Sequence, residues 1–154
     1  MTPESPSQLL SFLDASPTPF HAVEALCIRF KAAGFKELEE QESWDVLPGS
    51  KCFVVRGGTS LAAWIQGTEP PSDSGFRLIG AHTDSPNLRI KPQPDLSQHG
   101  YLQFGVEVYG SALLSSWADR DLSVAGIVYV RSESGKIEGH MLHHRNPLLR
   151  IPLL

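Results

Sequence analysis

The sequence predicts a mixed α/β fold over residues 1–94, followed by a mainly β segment over residues 95–154. Three observations carry that reading. Apolar residues recur at helical spacing near the N-terminus and at strand spacing further on. A stretch rich in proline and polar residues, "KPQPDLSQHG" (91–100), interrupts the pattern and marks a domain boundary. Beyond it "YLQFGVEVYG" alternates, with Leu102, Phe104, Val106 and Val108 on one face.

Taken in order, "SQLLSFLDA" (7–15) reads as a short helix with Leu9, Leu10, Phe12 and Leu13 turned inward. "SPTPF" ends it, because proline fixes φ and disfavours helix in the residue before it. A second helix covers roughly 20–33, with Val23, Leu26, Cys27 and Phe30 at three- and four-residue steps and Gly34 placed to cap it. After a polar stretch, "KCFVVR" (51–56) and "SLAAWIQG" (60–67) form a hairpin across "GGT". "FRLIGA" (76–81) reads as a buried strand. "AGIVYVRS" and "KIEGHMLHH" give two further strands around "SESGK".

The composition narrows the function. Hydrophobic residues make up 41% and charged residues 19%, ordinary for a globular chain. Thirteen basic against 17 acidic residues leave a formal charge of −4, which argues against nucleic acid and anionic membranes as partners. No apolar run nears the roughly 18 residues of a membrane span, and the N-terminus lacks a basic-then-apolar leader. A cytoplasmic protein is the expectation. Cys27 and Cys52 fall in apolar patterns and read as reduced core residues.

The run "FRLIGA" opens directly into His82, Thr83, Asp84, Ser85 and Pro86. In α/β proteins such strand ends are where metal and active-site chemistry sits. Neutral imidazole is a good zinc ligand, and its other ring nitrogen is usually held by an acceptor. Residues two apart on a strand share a face, which puts His82 and Asp84 together. One would bind metal while the other orients a ligand or serves as a catalytic carboxylate. Spacing alone does not decide it, since an H-x-D at a strand end is more often an ordinary pair.

Other candidates carry less. Glu39, Glu40 and Glu42 lie in a polar stretch that reads as solvated surface. In "HMLHH" only His140 and His144 share a strand face, and His143 falls on the other. "WADRDL" (117–122) sets Arg120 between Asp119 and Asp121, which suits an ion-pair network. Gly57 and Gly58 lack the spacing of a phosphate loop.

Four blocks in order settle what one does not: "SPTPFHAV", "GFRLIGAHTDSPNLRIKP", "GVEVYGSALLSSWADRDLSVAG" and "PLLRIP". Together they closely resemble the aspartyl aminopeptidase family of cocatalytic zinc metallopeptidases, from about Ser16 to Pro152. The resemblance implies a zinc-peptidase-like mixed-sheet catalytic domain followed by the start of an inserted β-rich oligomerisation domain. It makes His82 a ligand to one of two zinc ions and Asp84 a catalytic-site carboxylate that orients it. It implies peptide substrates with a free, acidic N-terminal residue, and a homo-oligomer. Asp119, Arg120 and Asp121 match a block at the subunit-association domain, where Ala118 replaces the family's aromatic, and are expected to be structural.

The resemblance also implies parts that these residues do not contain: a carboxylate bridging the metals, a glutamate base and further ligands. The chain therefore resembles roughly the first third of an enzyme, expected to bind zinc weakly and to be inactive alone. A truncated gene, a frameshift or a partial sequence would each give that result. The alternative is a non-catalytic fragment that associates with a full-length subunit.

Overall fold

Helix α2 (Pro19–Ala32) packs on a small three-stranded sheet, and the buried apolar side chains Ala22, Val23, Cys52 and Phe53 come from these two elements. The structure is a computed structural model that describes residues 5–153. It contains two compact units, Met1–Thr83 with Ala125–His143, and Asp84–Val124 with His144–Leu154. Each is described in turn.

In the first unit, α1 (Pro6–Asp14) starts from Ser5, whose hydroxyl accepts from the Ser7 amide, with proline at the first helical position. Its leucines do not turn inward as the spacing predicts. Leu9, Leu10 and Leu13 are more than half exposed, and the helix is held through Phe12, beneath the Arg29 guanidinium at 4.9 Å. Arg29 also donates to the Gln8 carbonyl.

Helix α2 ends as its sequence requires. Gly34 adopts φ +81°, the Gly34 amide donates to Lys31 and the Phe35 amide to Phe30. This pair of bonds is a Schellman closure, completed by the Phe30–Phe35 ring contact at 4.9 Å. The chain then reverses into β1 (Lys36–Glu37), which runs parallel to β2 (Lys51–Arg56); β2 pairs antiparallel with β3 (Ser60–Ile65). Gly57 and Gly58 both take positive φ in the turn, and the Phe20 ring lies 3.3 Å from where a Cβ at position 58 would stand. Phe53 is fully buried and stacks on Phe30 at 5.8 Å. Burial of that size contributes about 1.5–3 kcal/mol. Of the two cysteines read as reduced, Cys52 is buried and Cys27 half-buried, and both are free.

After the one-turn helix α3 (Pro71–Ser74), residues 76–81 depart from expectation. They are neither a strand nor buried: Phe76 is 78% exposed, Leu78 90% and Ile79 fully so. A strand exists only through a neighbour's hydrogen bonds, and no described strand lies alongside this run.

Strands β6 (Leu122–Arg131) and β7 (Ile137–Leu149) pair around the predicted turn, closed by the Ser132 amide on the Lys136 carbonyl.

In the second unit, β4 (Asn87–Gln98) and β5 (Tyr101–Tyr109) form a long antiparallel hairpin. His99 and Gly100 both take positive φ in its two-residue turn. The stretch "KPQP" lies within β4, where the register shifts between Ile90 and Asp95. Prolines 92 and 94 lack the amide that a ladder needs, so the extra residues bulge out. Positions 94 and 95 thus fall inside one strand. The alternating face of β5 is only partly covered, with Leu102 93% exposed.

Asp119, at φ +52°, and Asp121 face Arg150. The Asp119 amide donates to the Ile151 carbonyl at 2.8 Å and Arg150 donates to the Asp119 carbonyl at 2.9 Å. The network foreseen in "WADRDL" is therefore built on Arg150, while Arg120 bonds the Ser116 carbonyl.

The open run at 76–81 has a measurable consequence. The isolated 154-residue chain is expected to self-associate at micromolar concentration. Replacing Leu78 and Ile79 by serine should raise the monomer fraction in analytical ultracentrifugation.

Candidate metal centre

His82 sits in the loop after residue 81, with its side chain exposed. Residues 80–86 are not in a strand, so the i, i+2 rule that placed His82 and Asp84 on one face does not apply to them. What fixes this loop is its neighbours. Thr83 donates its hydroxyl to the Thr59 carbonyl at 2.7 Å, tying the position after His82 to the β2–β3 turn. The half-buried Asp84 accepts a hydrogen bond from the Tyr109 phenol, Oη to Oδ2 at 2.6 Å. The Arg89 guanidinium stacks over the Tyr109 ring, 3.4 Å from its centroid. The Asp84 carboxylate raises the Tyr109 pKa, first through this hydrogen bond and then through its charge, with the nearby Arg89 opposing.

The other candidates fall elsewhere. Glu40 forms an exposed ion pair with Arg56, which holds its carboxyl below the usual range. Exposed pairs of this kind add little stability. His140 and His144 are exposed on β7, whereas the half-buried His143 meets His21 edge-on at 5.5 Å. His21 is buried, and its Nδ1 lies 2.7 Å from the Thr18 hydroxyl. Burial lowers the His21 pKa, the neighbouring His143 lowers it further, and Glu24 opposes.

Zinc needs three or four protein donors. Among the described residues no three His, Cys, Asp or Glu side chains converge on one point. His82 has the right donor chemistry, yet one imidazole is not a site.

Comparison with known proteins gives this geometry its context. Residues 12–154 match the Aminopeptidase I zinc metalloprotease (M18) family. The chain belongs to that family. A probable M18 family aminopeptidase 2 of Pseudomonas putida strain GB-1 is 50% identical over 146 residues, covering 95% of this chain and 34% of the relative. A chain in the cryo-EM structure of the Ape4 and Nbr1 complex superposes with a TM-score of 0.91 at 44% identity, over 96% of this chain and 29% of that one. The S. cerevisiae mApe1 dodecamer superposes at 0.87 with 29% identity, over 96% and 35%. This M18 chain thus spans about a third of the length of the curated relatives it matches. Its mixed α/β fold is that of the N-terminal portion of those enzymes.

Two features of the M18 chain escaped the sequence. Tyr109 joins Asp84 across 25 residues, a contact set by the β4–β5 register, which places Asn87 opposite Tyr109. The His21–His143 pair joins α2 to β7 over a still longer span. Only the register, or a pairing of distant strands, would have revealed either.

His21 sets a pH dependence. The unfolded chain takes up a proton at this ring near the ordinary value of about 6.5, while the folded ring resists it. Stability is therefore complete above that pH and falls as the pH drops toward the lowered folded value. His21→Asn should start less stable near pH 7.5 but lose less on transfer to about pH 5.5 in urea unfolding followed by circular dichroism.

Proposed function

We propose that these residues are the N-terminal portion of a zinc-dependent aminopeptidase that removes acidic N-terminal residues, Asp or Glu, from peptides. The single unbroken family match over residues 12–154, with His82 inside "HTDSP", is the observation that supports this reading most. In it, residues 1–94 belong to the catalytic domain and residues 95–154 begin an inserted β-rich association domain. His82 supplies one ligand of a two-zinc site. Asp84 acts on that imidazole, fixing its tautomer and raising its basicity. The protein is cytoplasmic, and it is homo-oligomeric, the second reading being favoured by the dodecameric relative.

The remaining ligands and the general base lie outside residues 1–154. The purified 154-residue chain should therefore give no turnover of aspartyl or glutamyl substrates with added zinc or cobalt. Clear turnover would refute the proposal.

A full-length protein, made by joining these residues to the part of the Pseudomonas putida relative beyond the match, should hydrolyse the same substrates. In it, His82→Ala should remove bound zinc and lower hydrolysis by at least about a hundredfold, more than an outer-layer change does. Zinc content by atomic absorption, read beside the rate, checks this. Unchanged zinc and rate would sink the assignment of His82.

A further inference from the structure

We propose that Tyr109 is the positioning residue for Asp84, with Arg89 clamping the phenol ring in its direction of donation. The inference rests on the aminopeptidase reading above, since it gives Asp84 something to position. Its observations are independent of that reading.

The Tyr109–Asp84 distance of 2.6 Å is at the short end for a hydroxyl donor and fits a charge-assisted bond to a carboxylate. Tyr109 ends β5, and the register sets Asn87 opposite it and Arg89 opposite Glu107. Arg89 is thereby the diagonal, same-face neighbour of Tyr109, the arrangement in which long side chains cover an aromatic ring. With the guanidinium 3.4 Å from its centroid, the ring is covered on one side and its hydroxyl keeps one bearing.

The next residues lock the same spacing. Gly110, at φ +67°, brings its backbone against Pro86, where a Cβ would stand 3.4 Å from the proline Cα. The Asn87 side-chain amide donates to the Ser85 carbonyl at 2.7 Å. The strand end at Tyr109 and the loop at Asp84 are thus joined by a polar contact and a steric one. A tether needs only the second. The phenol adds a directed proton toward one carboxylate oxygen, which is what orienting a carboxylate requires.

Tyr109→Phe separates these roles, because it keeps the ring and its stacking and removes only the hydroxyl. In the full-length protein described above, the variant should lower kcat about tenfold with KM little changed. It should also release zinc to a chelator at roughly tenfold lower chelator concentration, the scale seen when partners behind metal ligands are lost. Combined with Asp84→Asn, it should add little further loss, because the two groups act as a unit.

A lowered Tm with kcat, KM and zinc retention unchanged would overturn the proposal and leave Tyr109 a tether. So would full additivity with Asp84→Asn. His82→Ala distinguishes the levels of failure. If it abolishes zinc binding while Tyr109→Phe changes nothing, the positioning role alone falls; if His82→Ala also changes nothing, the aminopeptidase site itself falls.

Discussion

The first unit depends on the contact between Phe53 and the C-terminal turn of α2. Among the described residues only four apolar side chains are buried, so little core is there to compensate for a misplaced element. Phe30 stacks on Phe53 and also meets Phe35 beyond the helix end. That second contact requires the chain to turn back at once, which the left-handed Gly34 permits without steric strain. One backbone conformation and three rings therefore decide where the helix stops and where β1 begins beside β2.

Features governed by neighbouring residues were legible in the sequence, and features governed by distant ones were not. The stop at Gly34 and the double-glycine turn at 57–58 are local, and each lies where its residues predict. His82 was singled out because its block is local too. Tyr109 was hidden, since alternation says which residues share a face of β5 but not which strand residue stands opposite. The "KPQP" stretch shows the same limit. Its prolines signal a break in a ladder, which is equally the signature of a linker and of a bulge, and only the pairing partner distinguishes them.

The run at 76–81 is a different failure. Its composition is that of an interior strand, with apolar residues on both sides of the pleat. Composition describes what a segment needs, however, and burial depends on what is there to meet it. Among the described residues no strand supplies hydrogen bonds to this run. The backbone is left to water and the side chains are left exposed, Ile79 completely. Apolar side chains on an unpaired backbone make an adhesive surface, so the same residues that would stabilise an interior strand promote association of the free monomer in solution.

Two histidines show how burial and chemistry separate. His21 has the more elaborate surroundings, with its ring buried, its Nδ1 satisfied by Thr18 and His143 against its edge. Those features suit a neutral ring that supports packing, and they leave little room for a metal ion at Nδ1. His82 is exposed, and its order comes from the residues that follow it, through Thr83 on Thr59 and Asp84 on Tyr109. In the proposed site, a ligand that must meet donors from elsewhere would gain from this arrangement. A backbone held in advance would lower the entropy lost on coordination in the proposed two-zinc site. The less buried of the two imidazoles is thus the one whose following residues are held by directed hydrogen bonds.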